Sequence, residues 1–395
     1  MENLFWVGPR ESDICGLEAM FSGSITLYGS DARGNSSYCG SYGTRINHNV
    51  DHPASSAFIL DRQLELIRQY PDCKFMSYNP NYSHDAPEAV VSRTICLNPR
   101  ELLETLNDKR SFRAFARRRA PMLETRVLPG NACTYQALQR SGLWTDSDAY
   151  IVQEAVSSGG QGTFYLSREN EADISRLLKP ESEYLVSGYI AANIPMNLHA
   201  VIYDGDIVLF PGSVQIIVPS GQRLLYRGAD FPAFQALPAG AGERFLDAAL
   251  PLCEAIQAAG YRGVLGVDGI WTQRGIFLLE VNDRFQGSTH LLNRALLEAG
   301  LPSIQACTID AFHHRPVSPE LKERLRTVGV PYSSFTQIHE AGGVHGKYLF
   351  KRAGQTSPSF EVLSDGYRPE QAAEECACQY TMVFSGGILR HAPAL

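Results

Sequence analysis

The stretch Phe277-Leu278-Leu279-Glu280-Val281-Asn282-Asp283-Arg284 constrains the fold more than any other. An apolar run ends in a carboxylate, a carboxamide and a guanidinium at every second position. In an extended strand, residues i, i+2 and i+4 point to one face, so Glu280, Asn282 and Arg284 project together from one strand end. Such groups make a poor core. They suit Mg²⁺ and polyphosphate, because Mg²⁺ takes hard oxygen ligands and Arg reads phosphate oxygens.

A second carboxylate supports this reading. Val264-Leu265-Gly266-Val267-Asp268-Gly269-Ile270-Trp271 also reads as a strand, with Asp268 as its sole charge. A hairpin loop of three residues, Gln273-Arg274-Gly275, takes Gly at its last position, where the chain goes left-handed. That loop places Asp268 directly opposite Glu280, whereas a loop of two residues would put them on opposite faces. The Gly275 position therefore favours a register in which Asp268, Glu280 and Asn282 share a face. An ordinary hairpin with its polar residues in water is the alternative.

With 395 residues the chain exceeds one small core, and two or three domains are expected. Its 44% hydrophobic and 19% charged content is that of a globular protein. A net charge of -7 argues against a nucleic-acid binder, which needs a basic face. The one basic cluster, Lys109-Arg110 with Arg113, Arg117, Arg118 and Arg119, reads as a solvated helix face. No apolar run approaches the roughly 18 residues of a membrane span. The start, Met1-Glu2-Asn3-Leu4-Phe5-Trp6, lacks the basic and apolar regions of a secretory signal. Nine scattered cysteines then read as reduced thiols, and the expected location is cytoplasmic.

Strands are expected at Leu4–Val7, Ser24–Tyr28, Lys74–Tyr78 and Ser92–Leu97, with a helix at Phe58–Gln69. Alternation of strands and helices predicts a parallel sheet. The loops Gly8-Pro9-Arg10-Glu11-Ser12 and Asn79-Pro80-Asn81 then lie at carboxyl ends of strands, where such sheets bind ligands. A helix starts at Asn98-Pro99 and another at Asn107-Asp108. From Tyr150 to Phe210 the pattern is β-rich, Phe245–Ala259 is an amphipathic helix, and Ser288-Thr289 caps a helix through Ala299. The expected units are an α/β domain over 1–95, a central domain over 96–315 and a smaller Gly-rich domain over 316–395.

Between two expected strands lies Ser157-Ser158-Gly159-Gly160-Gln161-Gly162-Thr163. Glycines remove Cβ and let backbone N–H groups approach phosphate oxygens, while Ser and Thr add hydroxyl donors. It is not a Walker loop, because no Gly-Lys-Ser/Thr precedes a helix. A plain flexible turn is the alternative; the acidic hairpin downstream favours phosphate.

This order of parts resembles the ATP-grasp superfamily: a small α/β domain, an Asp108-Lys109 helix start, a Gly-rich strand–loop–strand, a hinge strand, an acidic strand and Glu280-x-Asn282-x-Arg284. The resemblance covers roughly residues 96–315. It implies a mixed α+β and α/β chain: an ATP-grasp fold clamping ATP between two subdomains, a preceding Rossmann-like domain and a small C-terminal domain. It also implies that Asp268, Glu280 and Asn282 bind two Mg²⁺ ions, for which Mn²⁺ can substitute, with Glu280 bridging. Arg284 would contact the transferring phosphate. Lys109 and the loop residues Ser158, Gly159, Gly160, Gln161, Gly162 and Thr163 would meet the ATP phosphates. Leu185-Val186-Ser187-Gly188 would be the hinge, with Val186 and Ser187 at the nucleotide. Two departures stand out. Gln153 occupies the place of a phosphate-binding lysine, and Ser187 that of an acid for the ribose hydroxyls. Gln153 ahead of the Gly loop, together with Gly287-Ser288-Thr289-His290, resembles the peptide ligases of antibiotic pathways, of the pheganomycin and butirosin types.

The reaction so implied is ATP-dependent coupling of a small-molecule carboxylate to an amine, with amino acids or peptides as substrates and ADP released. A carrier protein is an alternative acceptor, and a homodimer is common in such scaffolds. A small-molecule kinase and a non-catalytic nucleotide-binding module are the competing readings. Arg227, after a strand, could hold a carboxylate or be a surface loop arginine. Ser288 and Thr289, at a helix N-terminus, could hold a substrate anion or simply cap. Asn197 and His199 share one strand face and could meet the nucleotide or the metals.

Overall fold

The computed structural model describes residues 3–28, 38–39, 53–120, 131–140, 147–157, 159–191, 193–238, 240–339, 344–351 and 359–365. Strands β1 (Leu4–Arg10), β2 (Gly23–Tyr28), β3 (Tyr38–Cys39) and β4 (Lys74–Ser77) form a parallel sheet in the order β3-β2-β1-β4. Its core holds Phe5, Val7, Ile25, Leu27 and Phe75 against Ile59 and Leu66 of the Pro53–Gln69 helix. The parallel sheet follows the expectation, but Ser92–Leu97 is no strand. It contributes an isolated bridge, Phe75 to Thr94, and Cys96 turns left-handed at φ 60°, which ends any extension. β1 also runs beyond Val7, so Gly8-Pro9-Arg10 is strand rather than loop, and Arg10 is its last residue.

The second sheet takes β5 (Asn131–Thr134), β6 (Ala149–Glu154), β7 (Thr163–Ser167), β8 (Glu183–Gly188), β9 (Ile194–Ile202), β10 (Ile207–Leu209), β11 (Ser213–Ser220), β12 (Arg223–Asp230), β13 (Gly263–Thr272) and β14 (Gly275–Asn282). Its order is β14-β13-β9-β11-β12-β7-β6-β8-β5, with β10 on β9. Tyr332–His339 pairs with β12, then with Val344–Lys351, which pairs with Ser359–Asp365.

The two ends of this sheet have separate cores. β6, β7 and β8 bury Val152, Phe164, Leu166, Tyr184 and Val186 with Ile174 of the Glu171–Leu177 helix. β9, β13 and β14 pack Met196, Leu198, Leu265, Val267 and Leu278 against Phe245, Leu252 and Ile256 of the Ala241–Ala258 helix. A third core joins Trp6 and Tyr78 from the first sheet to Val201, Phe285, Leu291 and Leu292. The carboxyl ends of β1 and β4 are thereby held against the end of β14.

Candidate metal and nucleotide site

The hairpin β13–β14 places Asp268 opposite Glu280, as the sequence predicts, but by a different route. Thr272 pairs with Gly275, so the loop is the two residues Gln273-Arg274, not three. That loop alone would set Asp268 against Leu279. A bulge between Gly269↔Leu278 and Asp268↔Glu280 inserts Leu279 as an extra residue and returns the carboxylates to one face. Gly275 has the positive φ expected of it, +119°.

The bulge leaves the Leu279 carbonyl outside the ladder, and Arg113 Nε donates to it at 3.2 Å. Arg113 was expected on a solvated face with the rest of the basic cluster. In the Lys109–Arg119 helix it is 3% exposed instead, while Arg117, Arg118 and Arg119 face water. Burial pushes its guanidinium down to about 10, and nearby Glu280 opposes the fall, so it stays charged at neutral pH.

Across three strands the side chains fall into rows. Asn197, Asp268 and Glu280 stand in one, and His199, Gly266 and Asn282 in the next on the same face. Asn282 Nδ2 donates to Asp268 Oδ2 at 3.0 Å, and Arg284 Nη2 to Asn282 Oδ1 at 3.1 Å. Asn197 Nδ2 donates to Asp268 and to Gln286 Oε1. Gln286 also reaches the Leu198 carbonyl at 3.3 Å. Gly266 makes this possible, since a Cβ there would lie 2.2 Å from the Gln286 amide carbon. Gln286 is a site residue the sequence reading missed; a glycine inside an apolar strand is the signal of such a close approach.

Asp268 is buried, and burial together with Glu280 pushes its carboxyl up to about 6, against hydrogen bonds from Asn197 and Asn282. Because the folded state holds this proton more tightly than the unfolded chain, stability falls as pH rises between the ordinary 3.8 and about 6. Without divalent metal, the melting temperature of the protein is expected to fall over that interval, by ~1–3 kcal/mol of stability. Asp268→Asn should flatten the slope, and a pH series of thermal melts on both proteins checks it.

Lys109 Nζ lies 3.3 Å from Glu280 Oε2 and donates to the Ser157 carbonyl at 3.1 Å. One buried ammonium thus joins the acidic hairpin to the Gly-rich loop. The loop is drawn onto β12: Tyr226 N–H donates to Gly159 O at 3.1 Å, and Gly160 has φ +79°. A Cβ at Gly160 would lie 1.9 Å from the Leu224 carbonyl oxygen, so no other residue fits. Lys109→Ala is expected to raise the KM for ATP about tenfold or more, since a charged phosphate contact contributes ~1.5–3 kcal/mol. An unchanged KM would remove Lys109 from the site.

The remaining candidates are placed as follows. Gln153 pairs with Thr163 and donates to its hydroxyl at 3.4 Å. Gln161 and Gly162 complete the turn into β7, while Ser158 lies outside the described residues. Val186 and Ser187 are buried in β8, opposite Val152 and Ile151. Arg227 does not follow a strand. It is the extra residue of a bulge inside β12, between Ile216↔Gly228 and Ile217↔Tyr226, which masks the strand's alternation. Ser288 is buried and precedes the Thr289–Glu298 helix without a side-chain cap bond. Thr289 Oγ1 accepts from Gln286 N–H at 2.9 Å and lies 3.0 Å from His199 Nε2. Burial pushes His199 down to about 3, so its ring is neutral.

The donor set suits Mg²⁺. Among the described residues no three His, Cys, Asp or Glu come together. The face offers two carboxylates completed by carboxamides, hard oxygen donors without nitrogen or sulfur. Asn197 Oδ1 in this row and Ser187 Oγ in β8 are buried without a hydrogen-bond partner.

Residues 116–288 match the ATP-grasp domain family. The match spans the Gly-rich loop, β8 and the acidic hairpin. Over 252 residues the chain is 25% identical to the [butirosin acyl-carrier protein]–L-glutamate ligase of Niallia circulans, covering 59% of this chain. The match spans about half, 51%, of that relative. Solved structures share the fold. An N5-carboxyaminoimidazole ribonucleotide synthetase in complex with ADP matches at TM-score 0.59 and 12% identity, covering 98% of this chain and 97% of the other. The biotin carboxylase domain of Hydrogenobacter thermophilus 2-oxoglutarate carboxylase matches at TM-score 0.59 and 13% identity, covering 89% and 74%. No helix among the described residues is long and apolar enough to cross a membrane.

Proposed function

We propose that the protein is an ATP-dependent carboxylate–amine ligase acting on an amino acid. The observation that carries this reading is the ATP-grasp domain's face of Asp268, Glu280 and Asn282, joined through Lys109 to the Gly-rich loop. Mg²⁺ held by Asp268, Glu280 and Asn282 would neutralise charge on the ATP phosphates. Lys109 positions the loop and adds a cation beside Glu280, and Arg284 brings a second cation from the other side of Asn282. The acid's carboxylate oxygen attacks the γ-phosphorus, the bond to the bridging oxygen breaks and ADP leaves. An amine then attacks the acyl carbon, and inorganic phosphate departs as the amide forms. Positioning and charge stabilisation suffice for both steps, so no nucleophilic side chain is required.

The similarity to a ligase of L-glutamate and an acyl-carrier protein supports an amino acid as the acid and a carrier-bound group as one acceptor to test. The deciding experiment measures ADP release from Mg·ATP with amino acids, singly, in pairs and with acyl-carrier protein, followed by mass spectrometry. ADP with a product mass equal to two substrates less water is expected. A phosphorylated substrate would replace the ligase by a kinase. Bound ATP with no ADP under any pairing would leave a nucleotide-binding module.

A further inference from the structure

The first sheet brings its own chemistry to the acidic hairpin. β1 and β4 run parallel, with Val7 opposite Ser77, so Arg10 and Tyr78 emerge at the same end. The Tyr78 carbonyl accepts from Phe285 N–H at 3.1 Å, which bonds the chain after β4 to the residue beyond Arg284. Trp6 packs edge-on against Phe285 at 5.2 Å and Tyr78 at 6.4 Å. Gly8 leaves room for this, as a Cβ there would lie 3.1 Å from Tyr78 Cβ.

Two guanidinium groups meet over this tyrosine. Arg10 Nη2 and Arg284 Nη1 each lie 3.4 Å from the Tyr78 hydroxyl. Their guanidinium carbons stand 5.6 and 5.8 Å from the ring centroid. Each is also tied to a second protein group through the same nitrogen that faces the tyrosine. Asp13, 2% exposed, pairs with Arg10 at 3.1 Å. Arg284 donates to the Phe285 carbonyl at 3.0 Å and to Asn282. Two cations from separate sheets, held around one hydroxyl donor, form a fork suited to a carboxylate. Asn282 links this fork to Asp268, so an anion in it lies beside the place of phosphoryl transfer.

Taking the ligase reading above, we propose that Arg10, Tyr78 and Arg284 bind the carboxylate of the acid substrate, with Arg10 and Tyr78 setting its position from the N-terminal sheet. The pair therefore selects for a free carboxylate close to the metals, and esters and amides of the same acid are excluded. A merely structural role, docking the first sheet onto the second, would give the same contacts without this selectivity.

Calorimetric titration of the full-length protein with the twenty L-amino acids, succinate and acetate, with and without Mg·AMP-PNP, separates the two. At least one free acid is expected to bind, and its methyl ester not to bind. Arg10→Gln should weaken that acid at least tenfold and Tyr78→Phe severalfold, with Arg10→Lys between them and AMP-PNP affinity within twofold of wild type throughout. Tyr78→Phe keeps the ring and its packing, so it remains informative if Arg10→Gln folds poorly. Unchanged acid affinity in Tyr78→Phe and Arg10→Lys, equal binding of the ester, or no binding of any acid to wild type would overturn the proposal. A wild-type protein that binds acids but not AMP-PNP would count against the ligase reading and leave the carboxylate site standing.

Discussion

Glu280→Gln is expected to lower kcat by about 10³-fold or more while moving the melting temperature of the metal-free protein by less than about 3 °C. The substitution is isosteric and removes a negative charge. That charge is one quarter exposed and stands 3.3 Å from Lys109, so its loss costs a partly solvated ion pair and little packing. Lys109 keeps the Ser157 carbonyl, and Asp268 loses a like-charged neighbour, which offsets the cost. In the ligase proposed above function has no such compensation, because a neutral carboxamide would not offset the charge of bound Mg²⁺. Wild type should gain thermal stability on adding Mg²⁺ with ATP analogue, by mass action, and the variant should gain much less. ADP release and thermal melts with and without Mg²⁺ measure both effects. A fully active Glu280→Gln protein would sink the metal assignment.

The acidic face is legible in the sequence because strand periodicity is local: Glu280 and Asn282 alternate within β14, Arg284 follows two residues beyond its end, and Asp268 is the sole charge in β13. The register between them is legible only by accident of compensation. The turn chemistry suggests three loop residues; the structure uses two and recovers the same pairing through a bulge at Leu279. Nothing in Leu278-Leu279 announces a bulge, since its cost is met by a contact from a helix 166 positions away. Arg113 escapes notice for the same reason. In Lys109–Arg119 its charge reads like those of Arg117, Arg118 and Arg119, and only the packing of the helix against β14 decides which faces inward.

The Gly-rich loop shows the complementary case. Its composition, beside the acidic hairpin, raises the expectation of a phosphate role, but nothing in it announces the closure onto β12, where Gly159 and Gly160 meet Tyr226 and Leu224. The Arg10–Tyr78–Arg284 fork depends on two sheets meeting, and its members are separated by 68 and 206 positions. Ser92–Leu97 fails as a strand although its composition suits one, because Cys96 leaves the extended region. Apolar alternation records the wish to be buried, not the partner available.

Arg113→Met tests whether the bulge sets the site. Methionine retains the buried stem but removes the donor to the Leu279 carbonyl and the cation near Glu280. A part-buried carbonyl left without its donor costs ~1–3 kcal/mol. At ~2–4 °C per kcal/mol for a domain of this size, a fall in melting temperature of about 3–10 °C is expected. The effect on catalysis separates two roles. If Arg113 only tuned charge, its removal would make the face more negative and Mg²⁺ would bind more tightly. If it holds the register, the hairpin relaxes toward the pairing its loop dictates, Asp268 opposite Leu279, and Glu280 turns to the other face. The expected result is therefore weaker Mg²⁺ binding and a loss in kcat/KM of about 100-fold or more, with Arg113→Lys unable to restore it, because an ammonium keeps the charge but not the planar donor. Mg²⁺ titrations of thermal stability, read beside ADP-release kinetics for both variants, decide between the two; tighter Mg²⁺ binding in Arg113→Met with unchanged melting would assign Arg113 to charge alone.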